Sequence, residues 1–343
     1  MILPNKNPRI LIYDTDNLSV GSTRVFSYGL FKDLCSLGIN VDYGISESHF
    51  EYDVVIYGKN QWNMLANSSA KVKGLIQPSD NSRKQIQYSK YADFWIVGSY
   101  DELDYYLKYK NNILFFPLIE KYNPKTKIHE DKECIIIGYH GNKEHLENFS
   151  PELISSLEWL SLHHPIKLHA IYDIANVGYW KKSRPDIEIV DIQWSMSTLH
   201  KEFLEIDIGI VPILTHIPNV LSRWTKRFSR FYTHRLNKSN RECDYLLQYK
   251  NNSNPGRIFV FQQFGIPVVA ELSPAACTAI PTEEYGYVAY SKEGWCHAFS
   301  LLCNSSALRN TVAHNAYTFF TTTLDTLRYS HKILNEVLRL WRL

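Results

Sequence analysis

The sequence predicts an α/β protein of two Rossmann-like domains facing a cleft, with C-terminal helices that cross back to the first domain. Three observations lead there. A chain of 343 residues exceeds what one ordinary core encloses. Short apolar runs alternate with helix-periodic segments, which is the pattern of parallel sheets. A polar stretch without apolar rhythm, residues 119–133, cuts that series in two. The expected domains are therefore 1–122, 134–315 and a helical segment at 316–343.

Taken in order, "RILIYD" (9–14) reads as a buried first strand. "TRVFSYGLFKDLCSLG" (23–38) is an amphipathic helix with Gly38 as its stop. "DVVIYG" (53–58), "VKGLIQP" (72–78), "DFWIVGS" (93–99) and "ILFFPL" (113–118) complete the first set of strands. The second set opens with "CIIIGYHG" (134–141), a strand running into a glycine-flanked loop, and the helix "PELISSLEWLSLHH" (151–164). Strands follow at "IKLHAIYD" (166–173), "IEIVDIQW" (187–194) and "IDIGIVPI" (206–213), with "STLHKEFLE" (197–205) helical between the last two. After a basic insert at 222–241 come a helix from Pro255, the strand "PVVA" (267–270), a short strand "YVAYS" (287–291) and helical periodicity from about 307 onward. In doubly wound sheets ligands sit outside the carboxyl ends of the strands, so the loops after "RILIYD", "CIIIGY", "DIGIVPI" and "PVVA" are where chemistry is sought.

Composition narrows the partners. A net charge of +2 does not mark a nucleic-acid binder, and none is expected. The 14% of aromatic residues suits carbohydrate-facing surfaces and well-packed cores alike. Six scattered cysteines with no CxxC pair point to reduced thiols rather than a disulfide frame or zinc site. The first residues, "MILPNKNPRILIYD", lack the apolar core of a signal peptide, and no run approaches the roughly 18 apolar residues of a membrane span. The expectation is a cytoplasmic protein.

Several residues can carry chemistry. In "NNSNPGRIFVFQQF" (251–264), Ser253 or Asn254 can cap a helix whose first residue is Pro255, with Gly256 and Arg257 in its first turn. A helix N-terminus attracts anions, and a bound phosphate would turn the unfavourable position of Arg257 into a bidentate attraction. The competing reading is an exposed arginine paired with a carboxylate. His140 stands at the carboxyl end of the strand in "CIIIGYHG" (134–141), between two glycines that permit close approach of a ligand; Gly141, Asn142 and Lys143 follow in the loop, and Lys143 can neutralise phosphate. A loop histidine satisfied by its neighbours is the alternative there. Lys59 and Asp80 end two strands of the first domain and are candidates to meet an acceptor. Asp14 and Asp16 in "DTD" read as a polar loop after a strand, and no metal is expected. The insert interleaves Arg223, Lys226, Arg227, Arg230 and Arg235 with Trp224, Phe228, Phe231 and Tyr232. It reads as a lid or as a contact to anionic membrane at the inner face of the cell membrane, with a solvated loop as the plain alternative.

The stretch "GRIFVFQQFGIPVVA" resembles the C-terminal-domain signature of GT-B glycosyltransferases, particularly glycosyltransferase family 4. "VGSTRVFSYGLFKDLCSLGINVD" (20–42), "IIIGYHGNKEHL" (135–146) and "FLEIDIGIVPI" (203–213) resemble further segments of that family in the same order. The resemblance implies that Arg257 contacts a donor diphosphate and that Gly21, Ser22 and Arg24 form a phosphate- or acceptor-facing turn. It also sets Trp194 where nucleotide bases dock. Family members often carry two glutamates in this loop and helix, and here those positions hold Asn252 and Val260. Asn252 can still hydrogen-bond a sugar, whereas the carboxylate expected to hold ribose is missing. The implied activity is transfer of a sugar from a nucleotide-sugar to a glycan or lipid-linked acceptor, retaining and without a metal. A nucleotide-sugar epimerase of the same shape and a non-catalytic sugar-nucleotide or glycan-binding protein are the alternatives.

Overall fold

The structure, a computed structural model, describes residues 7–18, 20–79, 82–122, 124–196, 199–213 and 255–343. The chain forms two compact units, one of Met1–Thr126, Asn254–Phe264 and His314–Leu343, the other of Lys127–Ser253 and Gly265–Ala313. Their strands in chain order are β1 (Ile10–Tyr13), β2 (Val41–Tyr43), β3 (Val54–Tyr57), β4 (Val72–Ile76), β5 (Phe94–Val97), β6 (Ile113–Phe115), β7 (Ile135–His140), β8 (Ile166–Tyr172), β9 (Ile189–Gln193), β10 (Ile208–Val211), β11 (Val268–Glu271) and β12 (Tyr287–Ala289). The described α-helices are α1 (Tyr28–Ser36), α2 (Arg83–Ser89), α3 (Tyr100–Leu107), α4 (Lys143–Leu146), α5 (Pro151–Ser161), α6 (Ile174–Val177), α7 (Leu199–Glu205), α8 (Gly256–Gln263), α9 (Pro274–Ala279), α10 (Lys292–Asn304), α11 (Ser306–Thr323) and α12 (Thr326–Arg342).

In the first unit β1–β6 form one parallel sheet in the order β2-β1-β3-β4-β5-β6. Parallel strands are covered on both faces and therefore read as unbroken apolar runs. Alternation sends Ile10 and Ile12 to one face, where they pack with Phe26 and Leu30, and with Ile333 and Val337 of α12. Leu11 and Tyr13 go to the other face with Trp95, Val97 and Tyr106. The C-terminal helix α12 thus supplies part of the first unit's core, as the sequence reading expects of its last helices. Its Ser330 hydroxyl donates to the buried Asp33 carboxylate of α1 at 3.1 Å. The helix expected at 23–38 opens with a π-helical turn, Thr23–Ser27, before α1, and it ends near Gly38 with a φ of 75°.

The second unit's sheet has the order β12-β11-β10-β7-β8-β9, again all parallel. Numbered within the unit this is the dinucleotide-binding order 3-2-1-4-5-6, with its reversal between β7 and β10. One face packs on α5 and α10 through Leu153, Leu157, Trp295 and Phe299. Residues 127–136 are bound into this unit by Asp207. Its carboxylate accepts from Lys127 at 2.9 Å, from Lys132 at 3.1 Å and from the Ile136 N–H at 3.0 Å. The polar stretch 119–133 that divides the two series is therefore hydrogen-bonded into this unit from Lys127 onward. His129 and Asn310 exchange two further bonds of 2.7 and 2.8 Å. Among the described residues no helix is long and apolar enough to cross a membrane.

Candidate functional site

In doubly wound sheets ligands bind outside the carboxyl ends of the strands where the strand order reverses; in the second unit that reversal lies between β7 and β10, and the loop after β7 stands there. β7 ends in half-buried His140, whose ring meets Phe203 edge-on at 5.3 Å. The chain then turns at Gly141 with a φ of 147°, a conformation that favours glycine. Asn142 caps α4 by accepting from the Glu144 N–H at 3.0 Å, and its carbonyl accepts from Tyr139 Oη at 2.6 Å. The loop is thereby pinned from both sides. Lys143 starts α4, donating to the Val177 carbonyl at 2.7 Å and lying 3.7 Å from Glu147. So the contiguous residues 140–143 stand together at the reversal. Trp194, half-buried just past β9, stands beyond β8, its N–H bonded to Tyr172 O at 2.9 Å.

Sequence reasoning missed Glu271 at this same edge. It ends β11, is buried, and accepts from the Ile213 N–H at 2.6 Å, which fixes the chain leaving β10. The available signal was a carboxylate closing an apolar run, "VVAE".

Gly21, Ser22, Arg24, Lys59, Gly256 and Arg257 belong to the first unit's segments. Arg24 is bound bidentately by Glu120 at 2.5 and 3.1 Å and donates to the Leu18 carbonyl at 2.8 Å. Gly21 and Ser22 precede it, and a Cβ added at Gly21 would meet nothing within 4 Å. Lys59 opens a 3-10 helix, Lys59–Asn67, directly after β3. In α8, Pro255 is the N-cap rather than the first helical residue, its carbonyl accepting from the N–H groups of Ile258 and Phe259. Gly256 and half-buried Arg257 are the first two helical residues, and no acidic side chain lies in that turn. From Ile258 to Gln263 every residue is buried, Val260 included. A carboxylate at position 260 would have to be buried in that same environment. Asp80, Asn252, Ser253, Asn254 and the insert 222–241 lie outside the described residues.

The first unit's carboxyl edge holds three buried polar groups: Asp14, read from the sequence as part of a polar loop, and Gln77 and Glu102, which sequence reasoning passed over. Asp14, after β1, accepts from Ser27 Oγ at 2.6 Å and the Thr15 N–H at 2.8 Å. Burial pushes its carboxyl up, and those bonds partly offset the effect. Gly58 faces it so closely that a Cβ there would stand 2.2 Å from the carboxylate. Gln77, immediately after β4, has a φ of 49° and is 9% exposed, and its Oε1 has no hydrogen-bond partner among the described residues. Left-handed backbone at a side chain of this length and a buried orphan acceptor each cost about 1–3 kcal/mol. Glu102, 1% exposed in the first turn of α3, accepts from the Gly98 N–H at 2.8 Å and from the Gln77 side chain. The Ser99–Glu102 spacing of a capping box was the visible signal for it.

Burial, reinforced by neighbouring Asp101 and opposed by the Gly98 bond, pushes Glu102 up from 4.5 to about 7. The folded protein therefore holds this proton more tightly than the unfolded chain. That stability is fully present below about pH 4.5 and is lost as pH rises through about 7. Urea titrations of the wild type between pH 5 and pH 8 should show this loss, by up to about 3 kcal/mol, and Glu102→Gln should flatten it.

No family model matches the chain, and no curated protein matches it in sequence. Solved structures match it in fold. Sucrose-phosphate synthase from Thermosynechococcus elongatus superposes with a TM-score of 0.64 at 12% identity, covering 98% of this chain and 100% of that one. Anabaena HepE in complex with UDP and glucose gives 0.61 at 12% identity, over 97% of this chain and 100% of that one. An alpha-glucosyltransferase in complex with UDP and a 13-mer DNA containing an HMU base gives 0.60 at 11% identity, over 98% and 100%. At such identity the likeness is one of fold. The chain has the GT-B architecture, two Rossmann-like units each built on a parallel six-stranded sheet, that these glycosyltransferases share.

Proposed function

We propose that the chain is a glycosyltransferase that moves a sugar from a nucleotide-sugar donor to a glycan or lipid-linked acceptor. One observation carries the reading: a glycine-bearing loop stands at the strand-order reversal of the second unit, in a chain that shares its fold over nearly its whole length with solved glycosyltransferases. In this reading Gly141, Asn142 and Gly256 admit the donor phosphates, with Asn252, Ser253 and Asn254 beside them in sequence. Trp194 faces the base. Arg257 and Lys143 offset the negative charge that grows on the departing diphosphate, so the chemistry calls for no metal. Lys143 must then exchange its Val177 and Glu147 contacts for the phosphate. His140 donates to a phosphate or sugar hydroxyl. Ser22, Arg24, Lys59 and Asp80 serve the acceptor side or the phosphates. The ribose is held by something other than a carboxylate at position 260. Attack from the leaving-group face would retain the anomeric configuration. Work in the cytoplasm, with peripheral contact to anionic membrane through 222–241, completes the proposal.

Incubation with UDP-, GDP-, ADP- and CMP-sugars tests it, read by NMR of the anomeric protons. Slow release of free sugar from one donor is the expected result. A changed sugar still on its nucleotide would make the protein an epimerase. Thermal stabilisation by a nucleotide-sugar without turnover would make it a binding protein.

A further inference from the structure

A groove of about 470 Å³ runs along α5 in the second unit, a volume in the range of small-ligand sites. One wall is the stripe Ser155, Glu158, Trp159 and Leu162, whose spacing of three and four residues sets them on one side of the helix. Leu153, Leu157 and Leu160 form the neighbouring stripe that α5 buries in the core. The other wall is Asp186, shortly before β9, and Lys292, the first residue of α10. The end of α5 and Asp186 both precede strands, so the groove stands at the amino edge of the sheet, whereas residues 140–143 stand at its carboxyl edge. Hydrogen bonds fix these walls. The Asp186 N–H donates to Glu158 Oε1 at 3.1 Å, and Ser156 Oγ donates to the Lys292 carbonyl at 3.2 Å. The His163 ring lies against the Trp159 indole, 4.2 Å between centroids, and its Nδ1 donates to the Trp159 carbonyl at 2.7 Å.

What these bonds leave over defines the ligand. Among the described residues the Trp159 indole N–H, the Lys292 ammonium and the Asp186 carboxylate make no hydrogen bond or ion pair, and Glu158 keeps one carboxylate oxygen unused. Donors and acceptors thus line the same groove, and a hydroxyl is the group that serves both. Charge points the same way, since an anion would meet Glu158 and Asp186 while a cation would meet Lys292. The indole and Leu162, which is 83% exposed, add an apolar surface. A pyranose ring combines an apolar C–H face with a rim of hydroxyls. We propose that this groove is a non-catalytic binding site for a neutral saccharide, with Trp159 as its apolar platform and Glu158, Asp186 and Lys292 as partners of the hydroxyls. None of these residues belongs to the transfer site proposed above, so the groove does not depend on that reading.

The test uses the full chain and saturation-transfer NMR, with the methyl α-glycosides of D-glucose, D-galactose and D-mannose as probes. At least one of them should receive saturation from the wild type. Trp159→Ala should reduce that transfer about ten-fold or more, the effect of removing an aromatic anchor. Asp186→Ala should reduce it about three-fold or more, the scale of one hydrogen bond. Asp186 is exposed and its backbone N–H is kept, so Tm should stay within about 2 °C of wild type. This second variant decides the matter should the first not fold. Methyl α-D-glucuronide and D-glucosamine, an anion and a cation, should give weaker transfer than the neutral probes. Three results would overturn the proposal: no transfer to any neutral glycoside, stronger transfer to a charged one, or equal transfer in the wild type and in either folded variant, which would place the saccharide elsewhere on the protein.

Discussion

Asp207→Ala is expected to destabilise the second unit by about 3–5 kcal/mol, the cost of removing one partner from a buried ion pair. Asp207 is fully buried, and the Lys127 side chain beside it is only 6% exposed. Truncation would leave that ammonium and the Ile136 N–H without the acceptor they now share. The loss reaches further than one contact, because the same carboxylate holds residues 127–136 against the start of β7. Burial alone would raise the Asp207 carboxyl, but the His129 ring, the Ile136 N–H and Lys127 outweigh it and hold it well below the usual carboxylate range. The sign follows from the depressed value. The stabilisation is present above the unfolded carboxylate range near pH 4 and is lost as pH falls below it. A lower urea midpoint, with faster amide exchange in peptides covering 135–140, is the expected readout. A midpoint within a few tenths of a kcal/mol of wild type would show that the cluster contributes nothing.

Arg257→Ala should weaken binding of a nucleoside diphosphate roughly ten- to a hundred-fold, the range of a charge-assisted bond of about 1.5–3 kcal/mol. Monophosphate affinity should change less, since the guanidinium is assigned to the diphosphate. The fold ought to tolerate the change, because Arg257 is half-buried at the mouth of α8 while Ile258 to Gln263 form its buried body. Arg257→Lys should recover only part of the affinity, as an ammonium offers a point charge in place of a planar fork. Calorimetry separates these outcomes, and unchanged diphosphate affinity in the alanine variant would remove Arg257 from the site.

How much was legible beforehand follows from the range of each interaction. Strands buried on both faces announce themselves as runs such as "RILIYD" and "CIIIGY", so the strands of both sheets could be placed before any coordinates except β2, whose three residues, only Val41 of them buried, form no apolar run. Helices α2 and α3 escaped because their apolar periodicity is slight: "RKQIQYS" holds one aliphatic residue. What marks them instead is the capping serines Ser82 and Ser99, each accepting from an N–H in the first turn. Residues 140–143 were legible as a site because they are consecutive. The pairing of Arg24 with Glu120 was not, since 96 positions separate them and nothing local links the two. Nothing local marked the bonds of Lys127 and Lys132 either, their partner Asp207 lying 80 and 75 residues away. Gln77 and Glu102 were hidden differently. Burial and a positive φ are properties of the folded chain, and a glutamine closing "VKGLIQ" carries no mark of either.

The central claim is that the chain binds a nucleotide by its diphosphate. Titration calorimetry of the wild-type protein with UDP, GDP, ADP and CDP, each beside its monophosphate, addresses it most directly. One diphosphate should bind at least ten-fold more tightly than its own monophosphate. Equal affinity within every pair, or no heat from any of the four diphosphates, would contradict the account.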